Sequence, residues 1–286
     1  MEIGVIGLGK LGLPLAGVLA QHFDVIGVDL TETKVEDNED KELQDMDLSR
    51  LTTTTDFSKL STCDVIFNIV PTPSMEDGKF TDKYVRSSIQ MAKPYLNCKV
   101  FVITSTVMPG TCEDLKKDLP CKLCYNPEFI RLGHVAKDMI NPDFVLIGEE
   151  DKEAGDILES IYKKIVKSPI KRMDLTSAEL AKITLNSFIT LKITFANILG
   201  EIAESIGADP HKILDAIGED RRINHNYFKF GGAYGGPCFP RDNRAFDVVA
   251  DGIENYALFT DKLNRHIAKK FGYFSPEPRY QNIDQN

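Results

Sequence analysis

The segment from Glu2 to Asp29, "EIGVIGLGKLGLPLAGVLAQHFDVIGVD", constrains the fold more than any other stretch of this chain. It reads as strand, glycine turn, helix and second strand. The apolar run Ile3–Ile6 leads directly into GxGxxG at Gly7, Gly9 and Gly12. In such a turn the first glycine permits the tight reversal, the second lets a pyrophosphate approach the backbone, and the third lets helix and strand pack closely. Lys10 and Leu11 fill the remaining positions of the loop, so they join the glycines as candidate cofactor contacts. The second strand ends at Asp29, where a carboxylate can accept hydrogen bonds from an adenosine ribose. A carboxylate there repels a 2′-phosphate, which favours NAD over NADP. Lys34 lies close by in sequence and reads either as a cofactor contact or as a solvated helix lysine. A glycine turn serving packing alone is the competing reading, and the strand, helix and acid in their required places count against it.

Four further strands follow at α/β spacing: "DVIFNIV" (64–70), "KVFVITS" (99–105), "KLCYN" (122–126) and "DFVLIGE" (143–149). Near-continuous apolar strands alternating with helices such as "DKYVRSSIQMAKPYL" predict a doubly wound, Rossmann-like parallel sheet of the α/β class. Ligands of such sheets bind beyond the carboxyl ends of the strands. The segments there are "PTPSMEDG", "STVMPGT" and "NPEFIRLG", rich in turn formers and polar groups. From about Ser177 the pattern changes to a long helix ending near "GADP" from Gly207, with Ser177 and Glu179 offering capping chemistry at its start. Lys182 and Asn186 stand four residues apart on it and project from one face. Spacing alone fits a surface lysine and a packing asparagine at least as well as an active-site pair. "DPHKILDAIGED" predicts another helix. The loop "GGAYGGPCFPRD" then holds Cys238 among glycines and between prolines, and two more helices follow in "NRAFDVVADG" and "IENYALFTDKLNRHIAKKF". This predicts an α/β domain over 1–172, a mainly helical domain over 173–275 and a frayed tail over 276–286.

A formal net charge of −9, with no basic stripe, excludes nucleic acid as the main partner, because phosphate backbones need clustered cations. Without an evident leader or an apolar run of membrane length, the expectation is a cytoplasmic protein that does not enter a membrane. Six cysteines in that setting are expected as thiols rather than a disulfide framework. Cys121 and Cys124 form a CxxC with no second ligand pair at zinc spacing, so no metal is expected.

Taken in order, "GVIGLGKLGLPLA", "DVIFNIVPTP", "STVMPGT", "NPEF", "AELAKITLNSFITLKITFAN" and "GGPCFPRD" resemble the nucleotide-sugar dehydrogenases of the UDP-glucose, UDP-N-acetylhexosamine and GDP-mannose 6-dehydrogenase type. The resemblance runs from residue 1 to about 270. It implies two successive NAD-dependent oxidations of a sugar C6 alcohol to a carboxylate, on a UDP-hexose or UDP-N-acetylhexosamine, in a homodimer built on the long helix. Cys238 matches the family nucleophile, which captures the aldehyde as a thiohemiacetal that is oxidised to a thioester and hydrolysed. Thr106, Lys182, Asn186 and Asp242 match the remaining active-site positions: Lys182 and Asn186 stabilise the C6 oxyanion, and Asp242 with Thr106 places or deprotonates water. Glu128 matches a glutamate that handles protons, and Pro71, Thr72 and Thr106 fall among the cofactor contacts. Two departures stand out. Leu132 occupies the place of a second glutamate found in the UDP-glucose branch. Family members also continue for a hundred or more residues into a second nucleotide-binding domain, so these 286 residues alone are expected to bind a nucleotide sugar weakly. A two-domain β-hydroxyacid dehydrogenase is the nearest alternative, and it needs no cysteine nucleophile. A non-catalytic NAD-binding subunit is the other.

Overall fold

The computed structural model describes residues 1–33, 35–130 and 134–274. They form two compact units, one of Met1–Pro73 with Phe80–Lys182, the other of Ser74–Lys79 with Ile183 onward. The tail over 276–286, Lys34 and Leu132 lie outside the described residues.

The first unit alternates strand and helix: β1 Glu2–Ile6, α1 Gly12–Ala20, β2 Asp24–Val28, α2 Lys41–Gln44, β3 Leu51–Thr54, β4 Val65–Asn68, α3 Lys83–Ala92, β5 Val100–Ile103, α4 Thr111–Leu115, β6 Lys122–Tyr125, α5 Val135–Ile140, β7 Val145–Glu149, α6 Lys152–Ile165 and β8 Ile170–Asp174. The eight strands form one sheet in the order β3-β2-β1-β4-β5-β6-β7-β8. The strands β1, β4 and β5 are almost wholly buried and consist mostly of Val, Ile and Phe, as strands covered by helices on both faces do. One apolar cluster, including Ile3, Val5, Leu15 and Leu158, fills one face of the sheet, and another, including Ile6, Ile66, Phe101 and Leu146, fills the other.

The sheet departs from the expected parallel arrangement at one junction. β6 and β7 pair antiparallel, Cys124 opposite Glu149, and β7 then pairs parallel with β8. The carboxyl ends of β1, β4, β5 and β6 therefore share one rim, while β7 and β8 point the other way. The strand β3, with its run of threonines, and β8, with three charged residues among its five, had no clear sequence signature; both are sheet-edge strands.

The helix α7, Leu175–Ser205, runs from the first unit into the second. Contrary to expectation, it is long and apolar enough, by length and composition, to cross a membrane, with a mean hydropathy of 1.3. Its buried residues nevertheless include Glu179, Lys182, Asn186, Thr190, Thr194 and Asn197, the pattern of a core helix that meets polar partners inside the protein. Its start is also set differently from the sequence reading. Asp174 accepts a hydrogen bond from the Ser177 amide at 2.9 Å, and Glu179 faces elsewhere. The second unit adds α8 Pro210–Gly218, α9 Phe239–Ala250 and α10 Ala257–Phe271. The Asp209 side chain caps α8 by accepting from the His211 and Lys212 amides.

Candidate functional site

In the first unit the glycine turn assigns each glycine a separate physical reason. Gly7 has φ +93°, and a Cβ there would meet the Ile69 carbonyl oxygen at 2.6 Å. A Cβ at Gly12 would lie 1.7 Å from the Gly7 carbonyl oxygen, so α1 can seat on the turn only without one. Nothing stands within 4 Å of a Cβ at Gly9. The constraint at Gly9 thus comes from no part of the chain itself, which is what a phosphate-approach position looks like. The amino end of α1 has no side-chain cap; its cap residue is Leu11, leaving backbone N–H groups and the positive end of the helix dipole for an anion. Lys10 is exposed beside this turn, in a long contact of 3.7 Å to Glu39. The Asp29 carboxylate accepts from the Leu8 and Leu30 amides, both at 2.6 Å, which fixes it at the mouth of the turn. These residues fit a dinucleotide: an open glycine for the pyrophosphate, an uncapped helix end and a carboxylate at the ribose position.

The adjoining turns on the same rim are bolted to one another. Ser105 Oγ accepts from the Val70 amide at 2.9 Å and donates to the Val70 carbonyl at 2.6 Å. The Thr72 hydroxyl donates to the Thr106 carbonyl at 2.6 Å. Pro71 is exposed between them, and Thr106 is half-buried. The structure thereby brings Pro71, Thr72 and Thr106 together beyond the ends of β4 and β5. At those strand ends, Asn68 Oδ1 and Thr104 Oγ1 are buried with no partner among the described residues.

Glu128 follows β6. It keeps some surface, yet its carboxyl lies deep among protein atoms, and that desolvation raises its pKa to about 7. The Lys182 ammonium and a hydrogen bond from Tyr162 oppose the rise. The single Tyr162 hydroxyl lies within hydrogen-bond reach of both Glu128 and Asn126 Oδ1, and burial raises its own pKa. Lys182 Nζ donates to the Glu128 carbonyl at 2.7 Å and lies 4.6 Å from the centre of the Phe129 ring. Lys182 is buried, so the reading of it as a surface lysine is set aside.

In the second unit Cys238 is exposed and stands at the cap position immediately before α9. The positive end of a helix dipole favours a thiolate at such a position. One turn into α9, the buried Asp242 donates its amide to the Cys238 carbonyl at 2.8 Å, while its Oδ2 accepts from Asn186 Nδ2 at 2.6 Å. Arg241 Nε lies 3.7 Å from the other carboxylate oxygen. The glycine loop before Cys238 is held by two asparagines. Asn197 of α7 donates to the Gly232 carbonyl and accepts from the Gly231 amide; Asn264 of α10 makes the same two-way pair with Tyr234. Asn243, fully buried, accepts from Ser187 and Thr190 of α7 and donates to Ala257, Thr260 and Asp261.

Tyr162, Asn197, Asn243 and Asn264 were not anticipated. The one sequence trace of Asn197 is its place in "NSFITLKITFAN", where Asn186, Thr190, Thr194 and Asn197 recur at helical spacing within an apolar run. The CxxC does not converge: Cys124 is buried in one apolar cluster, and Cys121 packs against the other.

The open turn, uncapped helix and acidic end of β2 define a dinucleotide-binding protein. The description "UDP-glucose/GDP-mannose dehydrogenase family, NAD binding domain" matches residues 1–166, and the central domain of the same family matches residues 176–262. The chain belongs to the UDP-glucose/GDP-mannose dehydrogenase family. It is 33% identical over 296 aligned residues to a GDP-mannose 6-dehydrogenase of Pseudomonas savastanoi pv. phaseolicola, covering 93% of this chain and 67% of that one. A UDP-glucose 6-dehydrogenase of Rickettsia felis is 32% identical, with 90% and 62% covered. Among solved structures, a UDP-glucose dehydrogenase from Pyrobaculum islandicum superposes with a TM-score of 0.82 at 28% identity, over 94% of this chain and 68% of that one. The chain thus spans about two thirds of the length of these relatives.

Proposed function

We propose that this chain carries the NAD-dependent, four-electron oxidation of a nucleotide-sugar C6 alcohol to a uronate, with Cys238 as covalent nucleophile. The observation that carries the reading is the setting of Cys238. It is an exposed thiol at the amino end of a helix, on a loop fixed by Asn197 and Asn264, one turn from the Asn186–Asp242 pair.

NAD, held by Gly7, Gly9, Lys10, Leu11, Gly12, Asp29, Pro71, Thr72 and Thr106, supplies the hydride acceptor for both oxidations. In the first, the alcohol loses its proton and a hydride to give the aldehyde, with Lys182 and Asn186 stabilising the oxygen as it becomes anionic. The Cys238 thiolate then adds to the aldehyde carbon, and its oxygen takes up a proton. Covalent capture restores a carbon that bears both hydride and oxyanion, which a bare aldehyde lacks. Loss of that proton and a second hydride leaves a thioester. Water attacks it, Cys238 departs as thiolate, and the carboxylate is released. Asp242 and Thr106 orient the water, and Glu128 takes up and returns protons; a carboxyl that titrates at about 7 is suited to both directions.

The curated relatives act, by their names, on GDP-mannose and UDP-glucose, so the substrate screen must include both bases as well as UDP-N-acetylhexosamines. A homodimer is the assembly favoured here. Phe188, Phe195 and Ile202 are exposed at intervals of seven along α7, with the partly buried Leu191 and Ile198 between them, the seam of a helix that pairs with a second copy.

The test is stoichiometry. Wild type is expected to yield two NADH and one uronate per sugar. Cys238→Ala is expected to yield no more than one NADH per sugar, with uronate formation lower by several orders of magnitude. Uronate produced by the alanine variant at a near-normal rate would remove the covalent role.

A further inference from the structure

We propose that Cys98 and Cys121 form a reversible disulfide when the protein meets a peroxide. Their sulfurs lie 3.1 Å apart in the first unit although the residues are 23 positions apart in the chain. Cys98 precedes β5 and Cys121 immediately precedes β6, two strands paired in parallel with Val100 opposite Lys122. The register puts Cys121 beside Lys99, one residue on from Cys98, and neighbouring strands run about 4.8 Å apart, a gap that the two side chains span to bring their sulfurs into contact. Closing from 3.1 Å to a bonded separation of about 2.05 Å asks for roughly 1 Å of sulfur movement.

The two thiols are not equivalent. Cys98 is 7% exposed and embedded in the apolar cluster beneath the sheet, whereas Cys121 is half-buried and open to a small oxidant. Either thiol can donate across the 3.1 Å contact, so access to the oxidant sets the order of reaction. Cys121 is thereby the nucleophile and Cys98 the resolving thiol. The Cys121 thiolate attacks one peroxide oxygen, the O–O bond breaks, and with a proton the products are a sulfenic acid and water. The Cys98 sulfur then displaces the sulfenic oxygen as a second water, forming the S–S bond. Two thiols lose two electrons in all and the peroxide gains them.

The pair lies at the amino ends of its strands, opposite the rim that carries the glycine turn, Thr72 and Thr106. Its chemistry is separate from the proposed oxidation, and Cys124, the other cysteine of the CxxC, plays no part. Cys124 leaves β6 on the other face of the sheet, buried among residues such as Val102 and Ile147.

Trypsin supplies a clean readout. It releases Cys98 within residues 87–99 and Cys121 within residues 118–122, neither peptide holding another cysteine. The whole chain is treated with hydrogen peroxide, remaining thiols are alkylated, and the digest is run without reductant. The expected result is the two peptides joined, two hydrogens lighter than their sum, and separable by a thiol reductant. Cys98→Ser, which keeps the size of the side chain, should leave Cys121 as a sulfenic acid that dimedone traps. Alkylated Cys98 and Cys121 at peroxide doses that oxidise Cys238, or Cys98 joined to Cys63 instead, would overturn the proposal.

Discussion

Removing the Asn243 carboxamide should destabilise the helical unit by about 3–4 kcal/mol. The side chain is fully buried and is the only acceptor given to Ser187 Oγ among the described hydrogen bonds. Truncation to alanine strands that hydroxyl, at about 1–3 kcal/mol for a buried polar group without a partner. It also removes two N–H donors shared among the Ala257 carbonyl, Thr260 Oγ1 and Asp261 Oδ1; the Ala257 carbonyl keeps Thr260 as a partner and Asp261 keeps Tyr234. Those losses add roughly 1–2 kcal/mol after allowance for non-additivity. For a unit of this size the midpoint should fall by about 12–20 °C. The chain has no tryptophan, so the transition is followed by far-UV circular dichroism. A companion variant makes the test specific. Asn243→Asp conserves volume but replaces donors with a carboxylate facing Asp261 Oδ1, 2.8 Å from the present nitrogen. If hydrogen bonding and charge govern this site, the aspartate variant is the less stable of the two at neutral pH. If packing volume governs it, alanine is worse. An aspartate variant as stable as wild type would refute the reasoning outright.

Three further outcomes are expected. Gly9→Ala should weaken NAD binding at least tenfold in a fluorescence titration with little change in thermal midpoint, whereas Gly12→Ala should lower the midpoint itself, because its Cβ would lie 1.7 Å from the Gly7 carbonyl oxygen; equal effects on both properties would contradict the separate reasons given for the two glycines. Binding should favour NAD over NADP by tenfold or more, about 1.4 kcal/mol, and equal affinities would mean that Asp29 does not face the ribose. Glu128 titrates higher in the folded chain, at about 7, than in the unfolded one, so the stability it contributes is present below the ordinary glutamate range and is lost as pH rises to 7. Thermal midpoints of wild type and Glu128→Gln should therefore diverge from pH 4.5 to 7, wild type losing up to about 3 kcal/mol relative to the variant; parallel profiles would show that the carboxyl is not desolvated.

The cofactor rim was legible because its information is local. Gly7, Gly9, Gly12 and Asp29 lie within one strand–helix–strand unit, and backbone geometry dictates their spacing. "PTPS", "STVM" and "NPEF" could be assigned to one rim because each follows an apolar strand. The turn of the sheet between β6 and β7 was not legible: apolar strands look alike in either direction, and only the chain's path through α5 reverses it. The asparagines that pin the Cys238 loop were hidden for a related reason. An asparagine within a helix pattern carries no mark of the carbonyl it will meet. Asn197 lies 35 residues from Gly232, and the loop must arrive before the pair exists.

Glu179 shows how such a distant partner overrules a local signal. Near the start of a helix a glutamate ordinarily serves that helix's own amino end, and the sequence reads that way. Asp174 already accepts from the Ser177 amide, however, so α7 has less need of it. The short α4 lacks a side-chain cap of its own, because its cap position is Gly110 at φ +91°. Glu179 spans both deficits in one move: its two carboxylate oxygens accept from the Gly110 and Cys112 amides at 2.6 and 2.7 Å. Burial raises the pKa of this carboxyl, and those two amides draw it back down. The turn so fixed is the one that carries Thr106 to Gly110. A residue three positions from Lys182 thus positions a segment of the cofactor rim by a route that no spacing rule along the chain could disclose.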